Sequence, residues 1–190
     1  ASAGMQRLIF GNNLVFFGLI IVQLIMVFKL SARVQRLSVQ GAVGMFLAYS
    51  LLMGLTLSSI FMIYTTSSIV GVFFITAGTF GATSLWAYKT KRDLSSWGSF
   101  FFMGLIGIVI ASLVNLFLQS SALQWAISYI GVLVFVGLTA YDTQQITLMG
   151  AQGFGDEATA KKSAINGALR LYLDFINLFI MLLRIFGGRD

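Results

Sequence analysis

This chain of 190 residues has six carboxylate side chains and neither His nor Cys. Any proton-transfer or hard-cation chemistry therefore falls to those six. Asp93, Asp156, Glu157 and Asp190 sit in polar connectors or at the terminus, where a solvated charge is the ordinary reading. Asp142 and Asp174 differ. Asp142 closes an apolar stretch in Leu138-Thr139-Ala140-Tyr141-Asp142, and Asp174 lies inside another, in Leu171-Tyr172-Leu173-Asp174-Phe175-Ile176-Asn177. Two carboxylates held within a few ångströms cannot both ionise cheaply, so they share a proton and titrate as a unit. The same pair is a hard oxygen site of the kind that draws Ca²⁺, weak unless carbonyl or water ligands join it. Asp142 also admits a plainer role, as an interfacial carboxylate at a helix end.

Two neighbours bear on the pair. Arg170 lies at i−4 from Asp174, a spacing that lets its guanidinium reach that carboxylate on one helix face or, alternatively, snorkel to the membrane surface. Asn177, at i+3, is placed to hydrogen-bond in the same polar interior. Gln23, Ser58, Ser59 and Asn115 are further polar groups in apolar surroundings, suited to bonding across helices as packing glue or as part of a site.

The absences exclude much. Without His or Cys there is no thiol catalysis, no disulfide, no zinc site on imidazole or thiolate, no axially His-ligated haem and no His proton relay. No cofactor is expected. The chain also lacks Pro, which leaves helix kinks to Gly, Ser and local bulges.

The elements that must position the aspartates follow from composition. With 58% hydrophobic and 9% charged residues, one soluble core could not hide the apolar surface, and lipid must cover the rest. A bilayer admits a helix bundle or a closed barrel. Period-two alternation is absent and the apolar segments are apolar all round, so the expected fold is an all-α polytopic helix bundle. Six transmembrane helices are expected, over about 13–29, 41–64, 68–88, 97–118, 122–142 and 168–187, in a single transmembrane domain. Residues 31–40, 89–96 and 150–167 read as polar connectors, and 65–67 and 119–121 as tight turns. The small residues Gly41, Gly44, Ser50 and Gly54, Gly71, Gly78 and Gly81, and Gly104, Gly107, Ala111 and Ser112 are expected to let helix backbones approach. Trp86, Trp97, Trp125, Tyr64, Tyr88 and Tyr129 fall near the expected ends, as interfacial belts require.

The net charge of +6 sorts by connector. Lys29, Arg33 and Arg36 fall at the first, Lys89, Lys91 and Arg92 at the third, and Lys161, Lys162 and Arg170 at the fifth. Arg7, Arg184 and Arg189 lie at the remaining ends. Nine of twelve cations thus share one side, which the positive-inside rule makes cytoplasmic, with both termini outward. The excess charge records topology, and no nucleic-acid partner is expected. Helices five and six are then antiparallel, and Asp142 and Asp174 fall at similar depth near their cytoplasmic ends. Ionisable groups there face a bundle interior and mark ion or proton paths.

Gly137-Leu138-Thr139-Ala140-Tyr141-Asp142-Thr143-Gln144, then Leu171 to Phe179 with its central Asp174, then Leu182-Leu183-Arg184-Ile185-Phe186-Gly187 resemble the Bax inhibitor family, also called the transmembrane Bax inhibitor motif family. The connector Lys91-Arg92-Asp93-Leu94-Ser95 is similar too. Agreement runs from about Leu14 onward and is strongest with bacterial inner-membrane members. The resemblance implies a seven-helix fold with six helices around a central last one. It implies a pH-dependent calcium leak in which the aspartate pair, carried to Asp142 and Asp174, senses protons and switches closed and open states. In that family a basic residue near the end of the second helix latches the pair, and Arg33 and Arg36 both fall in that neighbourhood. Two features depart from the pattern. Six helices are expected here, so the family's first helix is expected to be missing from a chain that starts Ala1-Ser2-Ala3-Gly4. Arg170 stands where small or hydroxyl residues are usual.

Three function classes compete. The first is the proton-gated leak, with Ca²⁺ as the transported ion and no catalysis. The second is a non-catalytic membrane scaffold that regulates partner membrane proteins, with the aspartates as structural glue. The third is an intramembrane aspartyl protease, in which paired carboxylates activate water. Against it, Leu171-Tyr172-Leu173 precedes Asp174 instead of a Gly-x-Gly, and a chain without Pro lacks that family's Pro-Ala-Leu motif.

Overall fold

Long apolar runs with no Pro propagate as helix, and the computed structural model, which describes residues 13–188, is built of such helices. Six α-helices are present among the described residues: α1 (Asn13–Arg33), α2 (Val39–Leu57), α3 (Thr66–Lys89), α4 (Ser95–Leu118), α5 (Ser121–Gln152) and α6 (Glu157–Phe186), with 3-10 turns at Val34–Arg36 and Ser58–Met62. Hydroxyls cap three of them: Ser38, Thr65 and Ser120 accept the backbone N–H of Gly41, Ser68 and Leu123. Arg7, Arg189 and Asp190 lie outside the described residues.

The largest departure from the expected elements is at 150–167. Only 153–156 is non-helical there. Thr143 to Gln152 continues α5, because Gln, Leu, Met and Ala favour helix and nothing in the run breaks it. Gly153 ends it at φ +75° and ψ 172°, backbone that side chains beyond glycine rarely take. The Asp156 carboxylate then starts α6 by accepting the Thr159 backbone N–H at 2.7 Å and its hydroxyl at 2.9 Å. Those two bonds, the backbone one foremost, hold the Asp156 carboxyl below its ordinary range. Its capping is complete above the ordinary carboxylate pKa and is lost as pH falls through the lowered value.

Among the described residues, five helical segments are long and apolar enough to cross a membrane: Gly18–Arg36, Val39–Met62, Thr66–Lys89, Ser95–Leu118 and Ser121–Gln152. Large apolar side chains along them are exposed, Phe117 of α4 to 88% and Leu51 of α2 to 72%, a surface that only lipid covers. The sixth expected span, 168–187, falls on α6 but for Gly187, and α6 is not apolar enough to meet that description. Glu157, Lys161, Lys162, Arg170, Asp174 and Arg184 all fall on it. Protein covers it instead of lipid, with Leu169, Leu178 and Leu183 fully buried, and a helix shielded in this way can carry ionisable groups.

The described residues fall in two compact units, one of 13–64 with 154–169 and one of 65–153 with 170–188. In the first, Gln23 of α1 donates to the Leu52 carbonyl at 3.0 Å and the Thr56 hydroxyl at 2.6 Å, both on α2. Lys162 donates to the Gln35 carbonyl at 3.0 Å, which ties the start of α6 to the 3-10 turn.

The second unit is built on close helix approaches, at positions that differ from the expected ones. Of the glycines singled out for packing, only Gly104 meets a neighbouring helix, at Val134. The others place a would-be Cβ in open space or, at Gly41, against its own cap Ser38. The close contacts are made instead by Gly98 against the Tyr141 ring, Gly137 against Phe101 and Gly131 against Met181. Burial on a neighbour, which glycine frequency does not report, decides which small residues matter. Phe73 and Phe80 of α3 pack edge-on to Phe175 of α6. Gly131→Ala is expected to cost about 1 kcal/mol, read as a drop of a few degrees in the thermal midpoint. The new Cβ meets the Met181 thioether at 2.9 Å, and that flexible side chain gives way.

Candidate functional site

Both aspartates belong to the second unit, and both are buried, Asp142 to 8% residual exposure and Asp174 to 5%. The extension of α5 changes the setting of Asp142. It stands ten residues before Gln152, the last residue of α5, so it is an interior helical residue and not a carboxylate at a helix end. Tyr141, next to it, lies against Gly98 of α4, and the absence of a side chain at that glycine is what lets α5 seat here.

Arg170 is resolved differently from either expectation. Its guanidinium donates across the helix pair to Oδ1 of Asp142 at 3.3 Å, so it neither pairs with Asp174 along its own helix nor merely snorkels. Both Asp142 and Arg170 act electrostatically on Asp174, and the three make one charge cluster. One member is incompletely bonded: Oδ2 of Asp174 is buried and has no hydrogen-bond partner among the described residues, a costly state for a carboxylate oxygen.

Asn177 does not join the cluster through its amide nitrogen, which donates to the Leu173 carbonyl of its own helix at 2.8 Å. Arg33 ends α1 and Arg36 ends the following 3-10 turn; both are exposed and belong to the first unit. Of the remaining polar groups, Ser58 and Ser59 bond back to Leu55 and Thr56, and Asn115 accepts the Ser120 backbone N–H at 3.0 Å. Only Gln23 of that set bridges two helices.

Sequence reasoning passed over Gln144. Its buried amide grips the connector between α3 and α4 at both ends, donating to the Arg92 carbonyl and accepting the Leu94 N–H, each at 2.8 Å. The connector is tightened further by Asp93, whose carboxylate accepts the Ser95 N–H at 2.8 Å and is held below its ordinary pKa chiefly by that bond. Gln144 lies two residues beyond Asp142, so the basic connector and the carboxylate cluster occupy the same end of this unit. The available signal was weak, an amide two residues from Asp142 that, once buried, needs partners for both its donor and its acceptor.

Chemically the cluster offers two carboxylates, one cation and one unbonded oxygen. No group of three or more His, Cys, Asp or Glu side chains gathers among the described residues. The pair alone is therefore a weak hard-oxygen site.

Comparison with known proteins places this chain in a family. The family described as "Inhibitor of apoptosis-promoting Bax1" matches residues 1–190. The protein named Inner membrane protein YbhL, from Escherichia coli, is 58% identical over 189 residues, covering 99% of this chain and 81% of that one. A protein of Borreliella burgdorferi is 48% identical over 185 residues, with 97% and 80% covered. A membrane protein of Streptococcus pyogenes serotype M1 is 42% identical over 177 residues, with 93% and 76% covered. With its helical fold and its lipid-facing apolar surface, the chain is a multi-pass protein of the bacterial inner membrane and belongs to the Bax inhibitor family.

Proposed function

We propose that this protein is a pH-sensitive cation leak, with Ca²⁺ as the transported ion and the Asp142–Asp174 pair as its proton sensor. The unbonded, buried Oδ2 of Asp174 is the observation that carries the reading. An oxygen in that state gains from a proton or a passing cation, and either event changes the charge that faces Arg170. Arg170 modulates the pair from Asp142. The two carboxylates bind Ca²⁺ too weakly to retain it, as conduction requires.

The test is flux. Purified protein in vesicles loaded with a Ca²⁺ dye should leak Ca²⁺ at a rate that depends on pH, and should leave a model transmembrane helix uncut. An absent leak would favour the scaffold reading, cleavage of the helix would favour the protease, and a leak that does not depend on pH would overturn the proton sensor.

Orientation is tested separately, with the basic connectors proposed as cytoplasmic. The chain has no native Cys, so single cysteines report cleanly at exposed positions. Cysteines at Ser31 and Ser95 should resist an impermeant thiol reagent in intact cells, and one at Ser67 should react. The reverse pattern would put the carboxylate cluster at the outer face.

A further inference from the structure

Between α3, α4 and α5, entirely within the second unit, lies a cavity of about 570 Å³ whose walls include Ala82, Trp86, Trp97 and Phe101 and whose polar end is lined by Arg92 and Asp93. Its size is that of a small-molecule site, but its walls are apolar and belong to helices that face lipid. Trp86 and Trp97 are each about half exposed, 51% and 53%, as rings at a membrane interface are. The polar end is the α3–α4 connector, where Lys89, Lys91 and Arg92 face one carboxylate, Asp93. That carboxylate accepts a backbone N–H from Ser95 and makes no ion pair among the described residues. Gln144 holds the connector by the Arg92 carbonyl and the Leu94 N–H, which leaves the Arg92 guanidinium out of that clasp.

We propose that this cavity is a binding site for one anionic phospholipid, its acyl chain lying along Trp86, Trp97 and Phe101 and its headgroup phosphate on Arg92. A basic group at the mouth of an apolar cleft between transmembrane helices matches both halves of such a lipid. The proposal is independent of ion flux.

The third tryptophan, Trp125, lies outside this cavity and serves as the control. Full-length protein is placed in vesicles of phosphatidylcholine containing a small fraction of brominated phosphatidylglycerol or brominated phosphatidylcholine, and tryptophan quenching is read. With Trp125→Phe, leaving Trp86 and Trp97, the glycerol lipid should quench at about fivefold lower mole fraction than the choline lipid, the effect of one cation at an anionic surface. Arg92→Gln should bring the two curves together and Arg92→Lys should largely keep them apart, while Ala82→Phe, at an exposed wall residue, should weaken quenching by both. Lys91→Gln should change little, since Lys91 does not line the cavity. Coincident curves in the protein with native Arg92 would overturn the proposal. So would an equal lipid preference at Trp125 alone, or a Lys91→Gln effect as large as that of Arg92→Gln, because each of these reports general surface attraction. Gln144 holds the backbone and not the side chain of Arg92, so the Arg92 variants keep the connector in place.

Discussion

Asp142→Asn and Asp174→Asn should each remove most of the pH dependence of Ca²⁺ flux, and the double substitution should add little to either. The two carboxylates form a coupled pair with Arg170 beside it, and such a pair titrates as a unit whose behaviour is lost when either carboxylate is lost. Asparagine keeps the shape and one acceptor oxygen but cannot take up or release a proton. Flux is measured between pH 5 and 8 for the native chain, both single variants and the double, and analysed as a cycle. Additive losses would mean two independent sites, and unchanged profiles would remove the aspartates from gating altogether. The fold should tolerate both changes, since the bond from Arg170 to Asp142 can be made to an amide oxygen and Oδ2 of Asp174 makes none to lose among the described residues.

Arg170→Ser should move the midpoint of that pH profile upward, by as much as about one pH unit. The guanidinium faces Asp142 at 3.3 Å and favours the ionised cluster. Without it a lower proton concentration suffices to protonate the pair, so the transition shifts to higher pH whether protonation opens or closes the path. One unit corresponds to about 1.4 kcal/mol, an upper figure here because the Arg170 side chain is 39% exposed and solvent screens part of the interaction. Arg170→Lys should shift the midpoint less, since the ammonium keeps the charge and loses the planar fork. A midpoint that stays in place or falls in Arg170→Ser would show that the 3.3 Å contact has no hold on the titration, and attention would pass to Arg33 and Arg36.

Composition was enough for the membrane, and the lengths and periodicity of the apolar runs for helices over strands and for the approximate place of each helix, because the need to satisfy every backbone group in lipid leaves so few options. The aspartates stood out for a related reason: two carboxylates in apolar runs are expensive, so their presence carries information. Helix ends were less legible. The expected fifth helix stops at 142 and the expected connector starts at 150, yet polar residues do not end a helix, and α5 runs on through Gln152 to stop at Gly153.

The two aspartates within apolar runs, the sorting of cations along the chain and the family motif were thus legible from residue type and spacing, which record helix depth and periodicity. Partner choice was decided only by tertiary structure. Spacing of four along α6 offered Arg170 to Asp174, but the packing of α6 on α5 gives it to Asp142. Asn177 turns to its own helix, Gln144 reaches across to the α3–α4 connector, and Gly98, Gly131 and Gly137 make the close contacts, joined by Gly104 alone of the more regularly spaced glycines. The physical reason is common to all of these. A helical repeat states which residues share a face of one helix, whereas a hydrogen bond or a close approach between helices depends on their rotation and offset, which are set jointly by every side chain in the interface.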